Sequence, residues 1–375
     1  MKLINNSALM SEKNICFANT AIQLMCNIPS MKNFFIKKEY RLKDEHQRTM
    51  QVCDELSRLL NIEGAITTSA SELRRLVGTR SRKTHLKDGS QQDVLEFFLT
   101  LIEQVEEEIS PCNLEAKALL QEFGGIERIE RKFLGTFEGK CSKCQFPPLV
   151  VEENFKFLKL KIPGTEMVVP LSRVVNNYIE ESSENIRMKC SICCTHKSNC
   201  PEEGECKRMD SLSQKVLIKS PNILIIQISR FESMNGRRRK TTIWPDDTIQ
   251  LKTGEKFNLN GIAHHLGESM GSGHFVASVK MGKDWIRCDD TQISILTESE
   301  VKSEECYICV YTKEIGPETT FIPSYQCQNI MGHKVLGGLH YSSVLKGNYA
   351  KKMGVDTDSN HKARKQTEDT KEKKK

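Results

Sequence analysis

Cys16 follows Asn14-Ile15 and opens a run in which Phe17, Ala21, Leu24, Met25 and Ile28 keep helical spacing before Pro29. A cysteine at a helix start meets free backbone N–H groups and the positive end of the helix dipole, and both favour the thiolate. Far along the chain Gly273-His274 is followed by Asp289-Asp290. Thiol catalysis needs an imidazole to exchange the proton and an acceptor to hold that imidazole in one tautomer. Cys16, His274 and Asp289 are the candidate set for nucleophilic attack on a carbonyl, with Asp290 in support. A second chemistry is written in Cys141-Ser-Lys-Cys144 and Cys190-Ser-Ile-Cys193. Each pair can give two thiolates to a tetrahedral zinc ion. The gap between the pairs exceeds that of a compact zinc ribbon, and Cys194, His196, Cys200 and Cys206 compete as ligands.

The elements that must position these groups change in kind along the chain. Residues 14–28 and 90–109 read as helices. The second carries the stripe Val94, Phe97, Phe98, Leu101, Ile102, Val105 and Ile109. Asn14 is the expected N-cap of the first, and 48–78 is helical between them. From about residue 131 short β-prone runs take over: Phe133–Phe137, Val150–Lys161, Asn222–Phe231, Phe257–His265, Gly273–Met281, Trp285–Cys288 and Cys306–Thr312. Gly282-Lys283 reads as a hairpin turn that returns Asp289 toward His274. Helices first and strands second give an α+β class.

The chain has 375 residues, 38% hydrophobic and 28% charged, enough for about two or three domain-sized units. The most apolar run, Ile223–Ile228, is interrupted by Gln227 and is far short of the ~20 residues of a spanning helix, so no membrane association is expected. The N-terminal segment has no sustained apolar stretch of the kind an export signal carries. Fifteen cysteines in irregular spacing then read as reduced thiols in the cytoplasm or nucleus. The net charge of +6 is mild. The basic clusters at Arg237–Lys240 and Lys351–Lys375 read as a solvated loop and tail, so nucleic acid is not an expected partner.

Several runs together resemble the ubiquitin-specific proteases. Asn14-Ile-Cys16-Phe-Ala-Asn19-Thr-Ala-Ile-Gln23 is similar to that family's cysteine box. Gln91-Gln92-Asp93-Val-Leu-Glu96-Phe is similar to its second signature, and Ile228-Ser-Arg230-Phe231 to a core strand. His265-Leu-Gly267 through Gly273-His274-Phe275, then Trp285 to Asp290, then Cys306 to Tyr311, resembles the histidine box in order and spacing. The resemblance covers roughly residues 10 to 313. It implies a papain-like core with a helical thumb (1–130), fingers (131–220) and a β-rich palm (221–315), followed by a basic tail of low order (316–375). It implies Cys16 as nucleophile, His274 as base and Asp289 as orienting residue. Zinc would sit on Cys141, Cys144, Cys190 and Cys193. Gln92, Asp93 and Glu96 would meet the C-terminal tail of ubiquitin, the two carboxylates pairing with its arginines. The glycine- and serine-rich stretch 265–273 would be a mobile loop over that tail. The implied reaction is hydrolysis of the isopeptide bond between the terminal glycine of ubiquitin and substrate lysines. Ubiquitin and ubiquitinated proteins are the implied partners, and the sequence points to no adaptor.

One departure bears on rate. The family's asparagine five residues before the nucleophile, an oxyanion donor, is Ser11 here. Losing such a donor costs about 10²–10³ in turnover. The Ser11 hydroxyl can donate in its place over a shorter reach, and the backbone N–H of Cys16 and the side chain of Asn14 are the other candidates. Ser11 leaves as rivals a ubiquitin-binding chain of the same fold with weak or no catalysis, and a protease for another ubiquitin-like modifier. A zinc scaffold built on the cysteines would leave the histidine box unexplained.

Overall fold

The computed structural model describes residues 14–41, 50–61, 69–109, 123–134, 138, 140, 149–162, 167–181, 183–190, 209–230, 239, 241–251, 253–269 and 272–314. All belong to the unit Met1–Thr320.

Five helices come first: α1 (Cys16–Cys26), α2 (Pro29–Ile36), α3 (Gln51–Leu60), α4 (Ser71–Arg80) and α5 (Val94–Ile109). Every residue of α1 is buried, including Asn19, Thr20 and Gln23. This exceeds the apolar stripe in the sequence, because α1 packs against α5 on one side and the palm strands on another. Phe17 meets Phe97 of α5 edge-on at 5.5 Å. The segment 48–78 forms two helices. The first has no side-chain cap of its own; the buried Glu108 of α5 accepts from the N–H groups of Val52 (3.0 Å) and Cys53 (2.9 Å) instead. A carboxylate at a helix N-terminus meets both the orphan donors and the dipole.

Strands follow. β1 (Gly125–Phe133), β2 (Leu149–Phe155), β5 (Ser183–Met188) and β6 (Met209–Lys219) make a four-stranded antiparallel sheet in the order β2-β1-β6-β5. β1 thus starts within the stretch assigned to the thumb. An eight-stranded sheet holds β3 (Leu158–Lys161), β7 (Ile223–Ser229), β9 (Thr248–Gln250), β10 (Lys256–Ser269), β11 (Ser272–Met281), β12 (Asp284–Asp289), β13 (Gln292–Leu296) and β14 (Cys306–Lys313). Its order is β13-β12-β11-β10-β14-β7-β3, with β9 beside β10. β4 (Val168–Pro170) pairs in parallel with β8 (Thr242–Trp244). Two further helices, α6 (Leu171–Glu181) and α7 (Glu298–Ser303), complete the described elements.

The large sheet is covered on both faces. Along β7, Ile223 and Ile225 join the core shared with α1–α5, while Leu224, Ile226 and Ile228 join the core under α6 and α7. A strand buried on both sides needs the unbroken apolar run that this sequence shows. Among the described residues no helix is long and apolar enough to cross a membrane.

Candidate active site

Cys16 is the first residue of α1 and is 7% exposed. Its thiol therefore lies at the positive end of a buried helix, where thiolate is favoured. Asn14 is not the cap that the sequence suggested. The N-cap is Ile15, without a side-chain hydrogen bond. Asn14 adopts φ +54° and donates through Nδ2 to the carbonyl of Gly89 at 2.8 Å.

His274 enters from β11 and Asp289 from the end of β12. These strands form the hairpin expected around Gly282-Lys283, in the register Met281↔Asp284 to Ala277↔Cys288. His274 Nε2 lies 2.6 Å from Asp289 Oδ1. That contact leaves Nδ1 as the ring nitrogen for the Cys16 thiol. The imidazole is raised to about 9. The bond to Cys16 is the largest cause; burial opposes it, and Asp289 adds to it. These partners hold the imidazole in its charged form at neutral pH, so it can carry the proton that thiol chemistry exchanges.

Neighbouring groups of the same type are excluded by their surroundings. His264, on the adjacent β10, is fully buried against Ser278 (3.1 Å), and burial pushes it down to about 3. The thiols of Cys26 and Cys288 are pushed up to about 12 by burial. Desolvation alone makes such groups inert.

Asp290 sits beside Asp289 with φ +46° and accepts from Asn19 Nδ2 at 2.7 Å. Asn19 lies one turn beyond Cys16, so this bond ties the nucleophile's helix to the end of the aspartate strand. Sequence reasoning quoted Asn19 but gave it no role.

The second signature is split by the structure. Asp93 is the N-cap of α5: its Oδ1 accepts from Leu95 N (2.7 Å) and Glu96 N (3.1 Å). Its Oδ2 accepts from the hydroxyl of Tyr307. Burial and this carboxylate push the tyrosine hydroxyl well up, so it keeps its proton and donates. Glu96 instead is half-exposed, with His85 Nε2 at 3.0 Å. Gln92 donates to Ser90 Oγ, and Gln91, which received no role in the sequence reading, donates to the carbonyl of Gly273.

The stretch 265–273 departs from the expected loop. β10 continues to Ser269 and β11 begins at Ser272, pairing Leu266 with His274 and Ser269 with Ser272 across a register shift. Residues 270 and 271, Ser11, and the cysteines 141, 144 and 193 lie outside the described residues. Of the four expected zinc ligands only Cys190 is described, and it is buried. The strand ends that flank the two pairs lie at the same end of the four-stranded sheet: Phe133 of β1 pairs with Ser211 of β6, and Met188 of β5 with Met209.

Comparison with known proteins agrees with this architecture. The family profile described as Ubiquitin carboxyl-terminal hydrolase matches residues 8–311. Ubiquitin carboxyl-terminal hydrolase 25 of Arabidopsis thaliana is 24% identical over 326 residues, covering 80% of this chain and 46% of that protein. Ubiquitin carboxyl-terminal hydrolase 22 of Homo sapiens is 22% identical over 348 residues, covering 82% of this chain and 65% of that one. The chain thus spans about half to two thirds of these relatives' length. Among solved structures, a chain of the SAGA Ubp8/Sgf11/Sus1/Sgf73 DUB module bound to ubiquitin aldehyde superposes with a TM-score of 0.63 at 21% identity, over 84% of this chain and 71% of that chain. The α+β, papain-like fold is the one these deubiquitinase domains share. With its cysteine and histidine boxes inside the matched span, the chain belongs to the ubiquitin carboxyl-terminal hydrolase family, in its ubiquitin-specific protease branch.

Proposed function

We propose that the chain is a thiol-dependent deubiquitinase that hydrolyses the isopeptide bond between the C-terminal glycine of ubiquitin and substrate lysines. The observation that carries this reading is the chain of contacts from Cys16, at the start of α1, through His274 to Asp289 at 2.6 Å. The Cys16 thiolate attacks the glycine carbonyl, and the charge moves to the carbonyl oxygen. The backbone N–H of Cys16, at the start of α1, is the donor we assign to that oxygen. His274 gives its proton to the departing lysine amine, and a thioester to Cys16 remains. Water then attacks the thioester, His274 takes the water proton, and the thiol is regenerated with a free ubiquitin carboxylate. Asp289 holds the imidazole in place throughout. The half-exposed Glu96 is the carboxylate we assign to the arginines of the ubiquitin tail, and Gln92 is assigned to the same tail; Asp93 is already committed to α5 and Tyr307.

The test is incubation of the purified chain with a ubiquitin–lysine isopeptide conjugate and with conjugates of other modifiers ending in Gly-Gly. Release of free ubiquitin and the ε-amine supports the reading. Release of only another modifier replaces it with the second-modifier reading.

We also propose a structural Zn²⁺ at the finger tip, held by Cys141, Cys144, Cys190 and Cys193. Its support is the chemistry of four thiolates and the shared sheet end at which the flanking strands stop. The ion would fix the tip and take no part in hydrolysis. Metal analysis is expected to find about one zinc per chain. Cys190→Ser is expected to release it and lower the melting temperature, since binding energy of structural zinc is folding energy. Zinc-free protein of unchanged melting temperature contradicts the site. The thiols of Cys26, Cys53, Cys288, Cys306 and Cys309, none in a disulfide, support a cytoplasmic or nuclear setting.

A further inference from the structure

Three alternate residues of the segment between α4 and α5 are each bonded to a different part of the site. The Gly89 carbonyl accepts from Asn14, two residues before Cys16, at 2.8 Å. The Gln91 amide donates to the carbonyl of Gly273, the residue before His274, across 182 positions of sequence. The Asp93 carboxylate accepts from Tyr307. The Tyr307 ring lies 5.7 Å from that of Phe275, the residue after His274.

The segment is itself stiff. Asp93 caps the buried helix α5. Asp88 Oδ1 accepts from both the N–H and the hydroxyl of Ser90, at 2.9 and 2.6 Å. Gly89 takes φ +85°, a backbone state that side chains disfavour. The Tyr307 hydroxyl that donates to Asp93 also accepts from Gln227 Nε2 at 2.7 Å.

Gly273 is pinned from both sides. Gln91 holds its carbonyl, and a Cβ built on it would stand 2.4 Å from His265 Nε2. His265 in turn packs its ring 4.7 Å from that of Phe275. The backbone on either side of His274 therefore has little freedom except through residues 89–93.

We propose that Gly89–Asp93 is a strap that sets the separation of Cys16 and His274, with Gln91 as its positioning residue. Gln91 touches neither the thiol nor the imidazole. It fixes the peptide that carries the imidazole to the same segment that fixes the peptide before the thiol. The inference rests on the thiol–imidazole reading of the site but not on ubiquitin being the substrate.

The test is the rate at which iodoacetamide alkylates Cys16, followed by mass spectrometry of the Cys16 peptide from pH 5 to 10, in wild type and Gln91→Met. Methionine keeps the length and removes the amide. The expected result is a neutral-pH rate at least about tenfold below wild type, the scale of roughly one pK unit of lost ion-pair stabilisation. The inflection assigned to His274 should move down from about 9 toward its ordinary value. With a ubiquitin substrate, kcat falls and KM holds. A folded Gln91→Met with the wild-type rate and pH profile overturns the strap. If methionine lowers the melting temperature, Gln91→Glu decides the matter. Its carboxyl can donate to the Gly273 carbonyl only when protonated, so fast alkylation should survive near pH 4–5 and be lost at pH 7. Unchanged alkylation at both pH values overturns the proposal. A wild-type Cys16 that shows no enhancement at neutral pH overturns the ion pair itself, whatever ubiquitin assays show.

Discussion

Replacing His274 by alanine is expected to lower kcat/KM toward a ubiquitin substrate by about 10²–10⁴-fold, the range seen when a positioned general acid–base is removed. The imidazole does two jobs here. It shares the thiol proton of Cys16, which is its largest cause of stabilised charge, and it protonates the lysine amine as the bond breaks. Water can replace neither at neutral pH. The pH profile carries the sign of the effect. In wild type the imidazolium persists until about 9, so activity should hold through neutral pH and fall as pH rises through about 9. In His274→Ala that alkaline fall disappears, and the residual rate climbs with pH as the thiol ionises without help. The same shift bears on stability. A histidine whose folded value lies above its ordinary 6.5 contributes stability that is complete below about 6.5 and is lost as pH rises through about 9. A wild-type profile without an alkaline limb, or an alanine variant within tenfold of wild type, contradicts the role given to His274.

Removing Asp289 should separate orientation from charge. Asp289→Ala leaves the Nε2 side of His274 without its acceptor at 2.6 Å, and the ring is free to turn or adopt the other tautomer. A loss of about 10²–10³-fold in kcat is expected, with KM nearly unchanged, because the aspartate touches no substrate. Asp289→Asn keeps an acceptor oxygen in place and loses only the charge. Related cysteine proteases orient their histidine with an asparagine, so this variant should retain most of the rate. Its alkaline limb should move to lower pH, since Asp289 is one of the groups that raise His274. Steady-state kinetics from pH 6 to 10 on both variants tests this. Equal losses in the two would mean that the charge, not the orientation, is what matters. Asp290 is a different case, for its partner is Asn19 on α1.

The parts of this site that could be read in the sequence are those that local spacing encodes. Cys16 before an apolar helical run, and His274 and Asp289 flanking a two-residue turn, sit where helix and hairpin geometry put them. The α+β class followed from the same change of periodicity. What escaped depends on long-range packing. Asn19 meets Asp290 across 271 positions, Gln91 meets Gly273 across 182, and Tyr307 meets Asp93 across 214; no local pattern encodes those pairs. Asn14 was read as a cap from residue type alone, yet its left-handed backbone turns the amide to Gly89. Asp93 was read as a ligand carboxylate, though a carboxylate directly before an apolar helical run is also a cap, and that is the use the structure shows. β1 was anticipated too late in the chain because its charged residues, Glu127, Arg128, Glu130 and Arg131, mask the period of two. β5, β6 and β13 were masked similarly by polar residues. The glycines and serines of 265–273 suggested a loop, while the pairing of β10 with β11 carries the ladder through most of it.

The proposed role of Cys16 as nucleophile toward ubiquitin is decided by reaction of the wild-type chain, Cys16→Ala and Ser11→Asn with ubiquitin bearing a C-terminal electrophile. The adduct is read by intact mass and the modified residue by peptide sequencing. One ubiquitin per wild-type chain is expected, attached at Cys16, and none on Cys16→Ala. Faster capture is expected from Ser11→Asn, which restores the family's oxyanion donor. Capture at another of the fifteen cysteines, or no capture by a folded wild type and a folded Ser11→Asn, would contradict that role.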